Sequence, residues 1–108
     1  VVDGLLANVE TEIGLLARVC DVKTEMGVVY LQVALELVEL FERKQRDYGS
    51  GNIAKFGEMG VLVRASDKLE RLVNLVGKTP NNESAEDSWK DLAVYAGIAL
   101  MCRRGLWK

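Results

Sequence analysis

RASDKLERL, residues 64–72, decides the fold once it is read as helix. At ~100° per residue, Arg64, Asp67, Lys68 and Arg71 fall within roughly a quarter to a third of the circumference. Leu62, Ala65, Leu69, Leu72 and Val76 line the opposite side. Such an apolar stripe is a core face. The spacing therefore predicts a packed helix from about Glu58 to Val76, ended by Gly77. The charged stripe is either a solvated surface with i,i+3 and i,i+4 pairs or one wall of an anion site.

Three further helical segments flank this one. The first runs from about Leu5 to Val22, with Leu5, Val9, Ile13, Leu16 and Cys20 at helical spacing. The second runs from about Glu25 to Tyr48. Its face is Tyr30, Ala34, Leu37 and Phe41, widened by Leu31, Leu35 and Val38, and Gly49 is placed to stop it in a left-handed cap. SGNIAKFG, residues 50–57, reads as a loop, as does GKTPNN, residues 77–82. The last helix runs from about Glu83 to Arg104. Asn82 or Ser84 can cap it, and Ser84 with Asp87 has capping-box spacing. The expectation is an all-α bundle of about four helices, one domain over residues 1–108.

The last helix is apolar all round from Leu92 to Cys102, as a central helix would be. That run is too short to span a bilayer. Glu83, Asp87 and Asp91 follow i, i+4, i+8, and the same side continues as Val94, Ile98 and Met101. An acidic stripe that becomes a core stripe predicts carboxylates pointing into a bundle end. Asp91 should then be partly buried and held by a metal or by a cation such as Arg64, Lys68 or Arg71, because an unpaired buried carboxylate is too costly to keep charged.

Composition narrows the chemistry. Of 108 residues, 49% are hydrophobic and only one is proline, so disorder is not expected. The net charge of −2 creates no field that would attract nucleic acid. Cys20 and Cys102 sit in apolar helical surroundings and read as small core residues, not as a disulfide. No signal-peptide pattern opens the sequence, which gives a cytoplasmic expectation, the host cytoplasm if the protein is viral. There is no histidine. Ser/His/Asp hydrolysis, Cys/His proteolysis and His-based metal hydrolysis are thereby excluded. Chemistry is left to carboxylates, Lys, Arg, Tyr and a hard metal ion.

Three charged faces supply those groups. The second helix has Glu36, Glu39 and Arg43 away from its apolar face and ends in Lys44 and Asp47; the others hold Arg64, Asp67, Lys68 and Arg71, and Glu83, Glu86, Asp87 and Asp91. Mg²⁺ takes carboxylate and phosphate oxygens in octahedral geometry, and Arg and Lys neutralise the remaining phosphate charge. Each face also has an ordinary reading. Glu83, Glu86 and Asp87 suit the start of a helix and Lys44 and Arg46 the end of one, while Glu36 and Glu39 suit a solvated surface.

The blocks KQRDYG (44–49), KFGEMGVLVRASDKLERLVNL (55–75) and ESAEDSWKDLAVYAGIAL (83–100) together resemble the phage and bacterial proteins called nucleotide modification associated domain type 1. The matching positions are Lys44, Asp47, Tyr48 and Gly49; Arg64, Asp67, Lys68, Arg71 and Leu72; and Glu83, Ser84, Asp87, Asp91, Leu92, Tyr95 and Ala96. The resemblance implies a setting in nucleotide metabolism. A looser one, to the MazG-like all-α nucleoside triphosphate pyrophosphohydrolases, implies Mg²⁺ held by a Glu-x-x-Glu pair and a Glu-x-x-Asp pair. Glu36 and Glu39 fit the first. The second departs: Ser88 stands three before Asp91, and the nearest acid is Asp87.

Two functions follow as expectations. One is Mg²⁺-dependent hydrolysis of a (deoxy)nucleoside triphosphate to monophosphate and pyrophosphate, with Glu36, Glu39, Asp87 and Asp91 on the metal and Glu83 or Glu86 taking the proton from water. The other is a non-catalytic nucleotide-binding module: a signalling-nucleotide sponge or sensor, or an accessory of base modification. In either, Lys44, Asp47, Tyr48, Arg64, Asp67, Lys68 and Arg71 form the nucleotide site, and Tyr48 and Phe56 are candidates to stack a base. Helices this long in so short a chain leave apolar surface, so a homodimer or larger oligomer should complete the bundle.

Overall fold

The computed structural model describes residues 12–81 and 83–108. Among them are four α-helices and no strand: α1 Glu12–Val19, α2 Glu25–Tyr48, α3 Gly51–Asn74 and α4 Ala85–Arg103. Leu5 and Val9 of the expected first stripe, and Asn82 as a candidate cap, lie outside the described residues. None of the described helices is long and apolar enough to cross a membrane. The chain divides into two compact units, Val1–Glu39 and Leu40–Lys108.

In the first unit α1 stops three residues earlier than its periodicity suggests. Asp21 adopts a left-handed backbone (φ 54°), Val22 N–H donates to Ala17 O (2.8 Å), and Asp21 N–H donates to Arg18 O (3.1 Å). This Schellman pairing closes the helix. Thr24 then opens α2, its Oγ1 accepting from Gly27 N–H at 2.9 Å. The buried positions here are Gly14, Ala17 and Val28. Leu16 and Cys20, expected in a core stripe, are exposed, and neither cysteine of the chain is in a disulfide. Tyr30 and Val38 of the expected α2 face are exposed as well.

The second unit holds the end of α2, all of α3 and α4, and the C-terminal tail. Gly49 stops α2 as its position predicts, with φ 68° and its N–H on Gln45 O (2.8 Å). The next segment corrects the expected loop. Residues 51–56 are helical and lead into the rest of α3 through a kink at Gly57 (φ 62°, ψ −151°), a conformation that glycine alone adopts without strain. The turn is pinned by tertiary contacts. Ile53 is buried in the core, Ser50 O accepts from Trp107 Nε1 at 3.0 Å, and Ser50 Oγ accepts from Gln45 Nε2 at 2.7 Å.

Val61, Ile53 and Ile98 form that core, with Phe41, Val94, Tyr95 and Trp107 packed against it. Trp107 arrives through a second Schellman turn. Gly105 takes φ 68°, its N–H bonds Cys102 O (3.1 Å), and Leu106 N–H bonds Met101 O (2.9 Å). The tail thus folds back and sets Trp107 edge-on to Phe41, with ring centroids 6.0 Å apart. At the other end of α4, Ser84 is the cap, its Oγ accepting from Asp87 N–H at 3.0 Å.

α3 packs on α4, but not by the face its apolar stripe predicts. Ala65 and Leu72 are half-buried. Leu62, Leu69 and Val76 remain 59%, 52% and 78% exposed. Arg64, Lys68 and Arg71 are half-buried instead. The helix is rolled toward its charged side because Glu83 and Asp91 draw Lys68 and Arg71 inward. α4 is likewise less enclosed than expected: from Leu92 to Cys102 only Ile98 is fully buried, and Leu100 is exposed.

Candidate functional site

The inward face of α4 reads Ser88, Asp91, Tyr95, Ile98 and Cys102, a 3-4-3-4 spacing that places these residues on one side of a helix. Ser88 and Asp91 are the only buried polar or charged side chains among the described residues. Asp91 Oδ1 accepts from Lys44 Nζ at 2.7 Å, and Oδ2 lies 2.9 Å from Lys68 Nζ. One carboxylate on α4 thus joins a lysine of α2 to a lysine of α3. Sequence reasoning places Lys68 among the partners of Asp91 and misses Lys44, although the end of a helix is where a long cation reaches sideways into a neighbour.

A second layer lies behind this one. Lys68 Nζ also donates to Glu83 Oε1 (3.0 Å). Arg71 Nε lies 3.1 Å from Glu83 Oε2 and donates to Ser88 Oγ at 3.1 Å, while Arg71 Nη2 donates to Glu83 O. Ser88, which breaks the expected acidic pair, thus joins the Arg71–Glu83 cluster through its hydroxyl. Every buried side-chain nitrogen or oxygen among the described residues has a partner.

The electrostatics follow from this geometry. Burial alone would push the Asp91 carboxyl up, but the hydrogen bonds from Lys44 and Lys68 outweigh it and hold its pKa below the ordinary carboxylate value. Burial would lower Lys68, and its bonds to Asp91 and Glu83 reverse that, raising it above the ordinary lysine value. A depressed carboxylate stabilises the fold above its unfolded pKa, and that contribution is lost as pH falls through the folded value. A raised lysine stabilises below its unfolded pKa, and that contribution is lost as pH rises through the folded value. The cluster is therefore fully effective between the ordinary values of 3.8 for Asp91 and 10.5 for Lys68. The melting temperature should accordingly fall below about pH 4. In Asp91→Asn that acid-side fall should be smaller, and an identical fall in both proteins would place the sensitivity elsewhere.

Beside Asp91 opens a cavity of about 230 Å³. Its polar wall is Lys44, Arg64 and Asp91, and its aromatic wall is Phe41, Tyr48, Tyr95 and Trp107. Arg64 is half-buried and makes no ion pair or hydrogen bond among the described residues. Tyr48, 77% exposed, stands at the rim. Gln45 and Asn52 also line the cavity, and sequence reasoning does not single them out. Nor does it find Trp107, although a glycine just past a helix followed by a hydrophobic residue is the signature of the turn that delivers it.

The remaining candidates lie elsewhere. Asp47 and Asp67 are exposed and do not line the cavity. Phe56 is exposed beneath Lys55 Nζ, 5.5 Å from its ring centroid, and does not line the cavity. Asp87 is exposed rather than turned inward, and Glu86 is exposed beside Lys90 (3.6 Å). The i, i+4, i+8 stripe fails because Glu83 precedes the helix, which begins at Ala85, so helical spacing does not apply to it. Glu36 and Glu39 belong to the first unit and are exposed. Among the described residues, no three His, Cys, Asp or Glu side chains gather where a metal could be held.

No protein-family model, no curated protein and no solved structure matches the chain.

Proposed function

We propose that the chain is a nucleotide-binding module of phage or bacterial nucleotide metabolism, acting in the cytoplasm, with the phosphate on Arg64 and Lys44 and the base against Tyr48 and Tyr95. One observation carries this reading. The cavity is lined both by the half-buried guanidinium of Arg64, which has no carboxylate partner among the described residues, and by aromatic rings. An arginine fork suits phosphate oxygens, and aromatic faces suit a base. The resemblance of the three sequence blocks to nucleotide-associated proteins points the same way. Free nucleotide, not nucleic acid, is the ligand this reading assigns.

Binding is preferred to Mg²⁺-dependent hydrolysis because both oxygens of Asp91 already face ammonium groups, and Glu83 is paired with Lys68 and Arg71. A metal on Asp91 would have to displace two lysines. The hydrolytic reading, with Glu36, Glu39, Asp87 and Asp91 on Mg²⁺ and Glu83 or Glu86 as base, rests on the resemblance. Thermal denaturation with each common nucleotide in EDTA separates the two. Stabilisation without metal and without turnover supports the module. Pyrophosphate release that requires Mg²⁺ overturns it in favour of the enzyme.

The same reading makes the protein a homodimer or larger. Met59, Leu62, Leu69 and Val73 of α3 are all more than half exposed, and with Ser66 they follow the 3-4-3-4 spacing of a coiled-coil seam. Light scattering should give at least twice the 12.0 kDa chain mass. A strict monomer at high micromolar concentration contradicts the oligomer.

A further inference from the structure

The charge around the cavity discriminates among phosphorylated ligands. We infer that the site takes a phosphate monoester, a nucleoside monophosphate, in preference to a triphosphate; this rests on the nucleotide reading above.

The charges that line the cavity or pair with its Asp91 and with Glu83 are Lys44 from α2, Arg64, Lys68 and Arg71 from α3, Glu83 just before α4 and Asp91 within it, all half-buried except Asp91, which is buried. Four cations against two carboxylates leave a net charge of +2. Asp47, Asp67, Glu86 and Asp87 are exposed, and water and salt screen them. Only two of the four cations, Lys44 and Arg64, line the cavity. Arg64 brings one full charge. Lys44 brings part of another, because Asp91 divides its charge between Lys44 and Lys68, while Lys68 and Arg71 share Glu83.

A phosphate monoester near neutral pH carries about −1.5 to −2, which matches this surplus. Each further phosphoryl group adds negative charge for which the cavity wall has no cation, so it gains no ion pair there. Size acts in the same direction. The cavity, at about 230 Å³, lies below the roughly 300–1,000 Å³ of sites for drug-sized ligands. The β- and γ-phosphates would project into solvent and add no affinity.

Calorimetry on the full chain in EDTA tests this. The probes are the four common 2′-deoxynucleoside 5′-monophosphates, each with its nucleoside, its triphosphate and the methyl ester of its 5′-phosphate. For the base that binds best, the monophosphate should bind at least about tenfold more tightly than the nucleoside. It should also bind more tightly than its singly charged methyl ester, and the triphosphate should bind no more tightly than the monophosphate. A triphosphate that binds tenfold more tightly, or a methyl ester that equals the monophosphate, overturns the charge matching and leaves the nucleotide reading standing. Heat from none of the probes overturns both.

Discussion

Asp91→Asn should lower the unfolding free energy by about 3 kcal/mol, the lower end of the cost of breaking a buried ion pair. The carboxylate is 9% exposed, while its partners Lys44 and Lys68 are 42% and 22% exposed. The lysines can partly rehydrate, which keeps the loss from being larger. An asparagine retains one acceptor oxygen but no charge. Two ammonium groups then face each other across a neutral amide whose oxygen accepts without neutralising either charge. For a domain of this size the change corresponds to a fall in melting temperature on the order of 10–20 °C. Urea denaturation should show a lower midpoint with an unchanged slope. Asp87→Asn, at an exposed position four residues earlier, should stay within about 0.5 kcal/mol of the wild type. If both variants match the wild type, Asp91 does not clasp the helices.

Arg64→Ala should reverse that pattern, with little effect on stability and a large one on ligand. Arg64 holds no partner among the described residues, so its removal leaves no buried acceptor unsatisfied. The lost charge-assisted hydrogen bond to phosphate should cost about 1.5–3 kcal/mol of binding, or roughly tenfold to a hundredfold in Kd. Lysine at the same position should restore only part of the affinity, since it lacks the fork that grips two oxygens. Unchanged affinity in a folded Arg64→Ala protein would return this part of α3 to an ordinary polar surface.

The two variants also mark how far the sequence could be read. The bounds of α2, the Gly49 stop and the Ser84 cap follow from local chemistry, and all three are found. Asp91 stands out because an acidic stripe turns into a core stripe at its position, just before the apolar run, and its burial and cationic partners follow from the cost of leaving it alone. Local chemistry does not reach the helical turn at 51–56, which depends on Ile53 entering a core and on Trp107 arriving from the far end of the chain. Nor does it reach the roll of α3. Periodicity there defines an apolar face and a charged face, and the choice between them depends on Asp91 and Glu83 of another segment. The cavity needs both of these non-local facts. Lys44, Tyr48 and Arg64 could therefore be nominated from the sequence, but their shared wall with Trp107 and Tyr95 could not.

The most direct test is a crystal of the protein soaked with mixed deoxynucleotides and Mg²⁺. The account predicts nucleotide density in the cavity, with phosphate oxygens in hydrogen-bond reach of Arg64 and Lys44 and with Lys68 still bonded to Asp91. A metal ion on Asp91 with the lysines displaced, or a nucleotide bound away from Arg64, would contradict it.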